Sequence, residues 1–71
     1  MATDICVRLG KRIRQLRKTK QWRQIDLAAH AKLSQNQICD IERGQSEVGI
    51  RNLDSIAHAL DVPLDRLLKD L

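Results

Sequence analysis

Residues 23–44, RQIDLAAHAKLSQNQICDIERG, carry two short apolar stripes at helical spacing, separated by a break at Lys32 and Leu33. Leu27, Ala28 and Ala31 give the first segment a face to bury, and Ile38 and Ile41 anchor the second. Ser34 stands where a hydroxyl caps the start of the second segment, and Gly44 where a left-handed residue ends it. The spacing predicts helices of about eight and about ten residues joined by a tight turn, a helix-turn-helix unit. The second helix opens on three polar amides, Gln35, Asn36 and Gln37, with its apolar anchors behind them. Such a tip suits the major groove, because Gln and Asn present a donor and an acceptor that match the N6 and N7 edge of adenine.

Upstream of this unit, Ile5, Leu9, Ile13 and Leu16 recur at steps of three and four, which predicts an amphipathic helix from Asp4 to Lys20. Thr3 is its expected N-cap, and Asp4 complements the positive end of the helix dipole. Downstream, GQSEVG at 44–49 reads as a loop. Ile50, Leu53, Ile56, Ala57 and Leu60 then mark a fourth helix, and Pro63 suits the first turn of a fifth. In that fifth helix Leu64, Leu67, Leu68 and Leu71 follow the i, i+3, i+4, i+7 pattern of a single face. No segment alternates as a half-buried strand does. The expected fold is all-α: five helices forming one compact domain over residues 1–71, with the helix-turn-helix at helices two and three.

Seventy-one residues have too little interior for two cores, and 42% hydrophobic with 31% charged residues argues against disorder. The longest apolar run falls far short of the ~18 residues that span a bilayer, and the amino terminus lacks the apolar core of a signal peptide. A soluble, cytoplasmic chain with no membrane partner is therefore expected. Cys6 and Cys39 are the only cysteines, and His30 and His58 have no ligand-spaced companions, so neither a metal site nor a cofactor is expected. No nucleophile with an adjacent base and no working carboxylate pair can be assembled on these helices, which argues against an enzyme. Net charge is +4, and it is unevenly placed. Arg8, Lys11, Arg12, Arg14, Arg17, Lys18, Lys20 and Arg23 occur without an intervening acid, whereas the stretch from Leu53 onward is acid-rich. One end of the molecule should attract phosphate and the other should not.

Taken in order, LRKTK (16–20), QIDLA (24–28), LSQNQI (33–38), IERG (41–44) and IAHALDVPLDRLL (56–68) resemble the phage repressor, Cro and xenobiotic-response-element type of helix-turn-helix regulators. The similarity covers nearly the whole chain, and in size it extends to the controller proteins of restriction-modification systems. The resemblance implies a lambda-repressor-like fold and a double-stranded DNA partner. It places Gln35 and Asn36 at the main base-reading positions and Asp40 one turn further on, at a third. An aspartate there repels phosphate and accepts only from a donor such as cytosine N4, so it acts as a veto on some bases. Gln37 and Arg43 match positions that bind backbone phosphate, and Ser34 at the helix start belongs with them. Gln24 matches the glutamine that bonds a phosphate and braces the first reading residue. Arg17 and Glu42 match a largely buried ion pair between helices one and three.

The chain departs from the family pattern at helix ends. Gln21, Lys32 and Asp61 stand where glycine is common, and Arg23 replaces the usual Ser or Thr cap of the second helix. A left-handed non-glycine residue and a missing cap each cost roughly 1 kcal/mol. Arg23 is expected to offset its poor capping with a phosphate contact. One module of this kind reads few base pairs, so a homodimer on a palindrome is expected. Leu64, Leu67 and Leu68 are expected to be mostly core. Val62, Leu71 and the corner between helices four and five, where Leu64 lies, are the expected dimer contact. The resulting expectation is a sequence-specific repressor or controller-like autoregulator that occludes or contacts RNA polymerase and takes no small-molecule ligand. The alternative is an antitoxin, in which the same fold binds DNA and a partner toxin.

Overall fold

The computed structural model describes residues 4–71. Its helices are α1 (Ile5–Thr19), α2 (Gln24–Ala31), α3 (Gln35–Glu42), α4 (Ile50–Ala59) and α5 (Leu64–Leu68), with no strand among the described residues. Each helix sends one fully buried side chain to a common centre: Ile13, Leu27, Ile38, Ile56 and Leu67. Small residues let the elements close around these five. Ala28, Ala31 and Ala57 are buried in the same cluster. Gly10 allows α1 to lie directly against the end of α3, where a Cβ would collide with Ile41 O and sit 2.7 Å from Glu42 O.

At the start of α1 the cap is Asp4, whose Oδ1 accepts from the Cys6 amide at 2.8 Å. The carboxylate thus satisfies an orphan amide and meets the helix dipole at once. Thr3, expected to cap this helix, lies outside the described residues. The first four helices end alike. A left-handed residue follows the last turn, and two amides fold back onto earlier carbonyls. Gln21, Lys32 and Asp61 hold φ of 60°, 58° and 59°, the strained positions expected from the glycines they replace. At the end of α3, Gly44 takes this role with φ 72°, its amide donating to Ile41 O while Gln45 N donates to Asp40 O. A Cβ at Gly44 would meet Val7 Cα at 2.7 Å, so packing as well as backbone conformation requires glycine there.

The leucine face expected on the fifth helix is only partly formed. Pro63 is the N-cap residue of α5, and the helix stops at Leu68 because Lys69 turns extended and Asp70 left-handed. Leu67 is fully buried, but Leu68, expected in the core, is 37% exposed, and Leu71 lies beyond the helix. A five-residue helix makes little more than one turn, so an i to i+7 stripe cannot persist along it. Arg12 secures this short helix from α1, its guanidinium donating to the carbonyls of Arg66 (3.1 Å), Leu67 (3.4 Å) and Lys69 (2.9 Å). These are carbonyls at the end of α5 that a cation satisfies.

Candidate nucleic-acid interface

The tip of α3 is built by local hydrogen bonds. Ser34 Oγ accepts from the Gln37 amide at 3.1 Å, and Gln37 Oε1 accepts from the Ser34 amide at 2.9 Å. This reciprocal box satisfies two amides at the helix start. It fixes Gln37 Oε1 inward, so the side chain's remaining donor is its Nε2 group. Ile38 and Ile41, both buried, hold the opposite face of α3 against the core. Gln35, Asn36 and Asp40 are exposed as a consequence of that register. Gln35 and Asn36 make no side-chain hydrogen bond among the described residues, which leaves their amides open to a ligand. Gln37 and Asp40 also border a groove of about 240 Å³ whose far side is Ser46, Glu47, Val48 and Asn52. The last four residues flank α3 from the α3–α4 loop and α4, a placement that sequence spacing does not reveal.

At the back of α3, Arg17 and Glu42 form an ion pair with side chains only 9% and 4% exposed. Arg17 Nε donates to Glu42 Oε2 at 2.6 Å and Nη2 to Oε1 at 2.9 Å, a two-pronged contact. Its third donor, Nη1, reaches Trp22 O at 2.7 Å in the link between α1 and α2. Gln24 Nε2 donates to Glu42 Oε1 at 3.2 Å, so the first residue of α2 joins the network. Its amide bonds Glu42; the expected brace to Gln35 is not formed among the described residues.

Arg23 precedes α2 without a capping side chain of the usual kind, and Asp26 supplies the missing anchor. Asp26 Oδ2 accepts from Arg23 N at 2.8 Å and from Arg23 Nε at 3.3 Å. The backbone bond and then the guanidinium hold the Asp26 carboxyl below its ordinary pKa. An acid three residues after a helix cap is the sequence signal that identifies this box. Trp22 packs half-buried against the core, stacks on His30 with ring centroids 4.3 Å apart, and lies under Lys20 Nζ at 5.2 Å.

The basic run is smaller in effect than it reads. Arg17 is spent in the buried pair, Arg12 on α5 and Arg23 partly on Asp26. Lys11, Arg14 and Lys18 remain exposed on α1, Lys20 just after it, and Arg43 just beyond α3. Desolvation and the neighbouring Asp4 raise the pKa of the Cys6 thiol, which disfavours its reactive thiolate form. Among the described residues no three His, Cys, Asp or Glu side chains gather closely enough to hold a metal, and no helix is long and apolar enough to cross a membrane.

A self-capped helix with open amides, seated on a buried ion pair at the end of a helical hairpin, defines a helix-turn-helix protein, and the helix-turn-helix family model matches residues 13–67. The chain belongs to this family of DNA-binding transcription regulators. It is 33% identical over 69 residues to the control protein C.MunI of a Mycoplasma species, covering 96% of this chain and 93% of that one. It is 32% identical over 60 residues to the immunity repressor of Bacillus phage phi105, covering 84% of this chain but only 42% of the repressor. The chain thus spans about two fifths of that relative's length. Among solved structures, the P22 c2 repressor in complex with a synthetic operator is 36% identical, with a TM-score of 0.79, over 86% of this chain and 92% of that one. The all-helical fold and the repressor and controller relatives together make this chain a helix-turn-helix DNA-binding regulator.

Proposed function

We propose that this protein binds a short palindromic operator as a homodimer and acts as a repressor or a controller-like autoregulator. The observation that carries this reading is the exposed, self-capped tip of α3 with its unengaged Gln35 and Asn36 amides. Gln35 and Asn36 read base edges, with Asp40 vetoing bases that offer no donor. Arg23, Gln24, Ser34, Gln37 and Arg43 contact phosphate and set the register. The likeness to a control protein over almost the full length of both chains favours the controller-like form, and the operator complex of the P22 c2 repressor favours direct DNA contact. Self-association is supported by the apolar end of the molecule. Val62, Leu64 and Leu71 are half-buried there, and Leu71 shares an apolar groove of about 300 Å³ with Ile5, Leu53 and Leu68.

Selection of bound duplexes from a random pool, followed by titration across a salt series, tests the reading. A two-fold symmetric consensus is expected, with a log–log salt slope of about −5 or steeper for six or more phosphate contacts. Failure to enrich any sequence would contradict it. Sedimentation at tens of micromolar tests the dimer separately, and a monomer throughout would remove that part.

A further inference from the structure

We infer that Glu42 is a positioning residue for DNA binding, because its carboxylate sets the orientation of the Gln24 amide; the inference rests on the operator-binding reading above. Glu42 is an acceptor only, so the group that Gln24 turns toward it is fixed by chemistry as the Nε2 amine, bonded at 3.2 Å. The Gln24 carbonyl oxygen and the second N–H are then left for other partners. A phosphate oxygen accepts only, and it matches that second N–H. The Gln24 carbonyl is in turn the group that can accept from the amine of a neighbouring amide such as Gln35. Were the amide reversed, its carbonyl would face a carboxylate and the arrangement would repel.

Arg17 makes this orientation rigid by two routes. It pins both oxygens of Glu42, and through Nη1 it pins Trp22 O, two residues before Gln24. The same buried pair therefore fixes the side chain and the backbone entry of the residue that begins α2. For stability alone a buried ion pair is no better than apolar residues of similar volume. Its connection to Gln24 supplies a reason for a charge in this core that packing does not.

The test compares wild type, Gln24→Met, the double variant Arg17→Met/Glu42→Leu, and the triple variant, each binding the duplex selected above, at a temperature well below the measured melting point. The double variant strands no charge and is expected to fold, yet to bind about tenfold more weakly, the loss of one hydrogen bond to a charged group. Adding Gln24→Met to it should cost no more, since the amide is already unheld. Wild-type affinity in the folded double variant, or an equal loss from Gln24→Met in both backgrounds, would overturn the inference. Hydrogen exchange of the Gln24 side-chain amide in wild-type protein without DNA gives a second readout that needs no variant to fold. One slow and one fast proton support the held amide, and two protons exchanging at the free-amide rate overturn it. If wild type enriches no duplex at all, the operator-binding reading fails, while the exchange measurement still decides whether Glu42 holds Gln24.

Discussion

At the start of α2, Gln24 hangs from a carboxylate that is itself clamped by a buried arginine, whereas at the start of α3, Gln35 and Asn36 make no side-chain bond among the described residues. The two helix starts are 11 residues apart in sequence (24 to 35) and share the same amide chemistry. They differ in what holds them. The first is anchored from inside the core in addition to its local Arg23–Asp26 box, and the second only by a box made of its own backbone and the side chains of Ser34 and Gln37. That contrast divides the work expected of a DNA reader. A phosphate contact repeats at every step of the duplex and benefits from a fixed donor, whereas a base contact must match one edge and benefits from an amide with no competing partner.

The anchored side should be the more fragile. Arg17→Ala strands the Glu42 carboxylate in the core and is expected to cost about 3–5 kcal/mol, which a domain of this size registers as a fall in melting temperature of roughly 12 °C or more. A variant that melts with wild type in a calorimeter would show that the core carries no such dependence. The self-capped side should lose less. Ser34→Ala removes one capping acceptor and is expected to cost about 1 kcal/mol by urea unfolding, with an unchanged m-value. A loss as large as that of Arg17→Ala would erase the distinction between the two starts.

The smallest effect is acid sensitivity at Asp26. Its folded pKa is depressed by the Arg23 amide and guanidinium, so the stabilisation is present above the ordinary carboxylate value of about 3.9 and is lost as pH falls through the folded value. Asp26→Asn should therefore show a shallower loss of stability than wild type as pH is lowered below about 4. Because the Arg23 guanidinium is exposed and the Asp26 carboxylate only half-buried, the difference should shrink in high salt. Parallel curves for the two proteins would mean that Asp26 anchors nothing.

The sequence was most informative where a rule is local. Helix periodicity placed all five elements, the offset from Ser34 marked the start of α3, and the absent glycines at Gln21, Lys32 and Asp61 marked left-handed ends that the structure contains. It was least informative where one side chain reaches across the fold. Arg12 looked like one more cation of a basic run, yet its partners are 54 to 57 residues away, and nothing within α1 distinguishes it from Lys11 or Arg14. Gln24 matched a phosphate-binding position, but its bond to Glu42 joins the start of α2 to the end of α3 across 18 residues, a distance that no local spacing rule covers. Leu68 fitted an apolar stripe that requires two helical turns, and the helix ends after five residues.

Whether the open amides of α3 read bases is decided by the sequence preference of Gln35→Ala. The variant is expected to melt with wild type, because Gln35 is exposed and outside the capping box, and to lose discrimination at one position in each half-site by about 1–3 kcal/mol with an unchanged salt slope. An unaltered base preference, at the same stability, would contradict base reading by these amides.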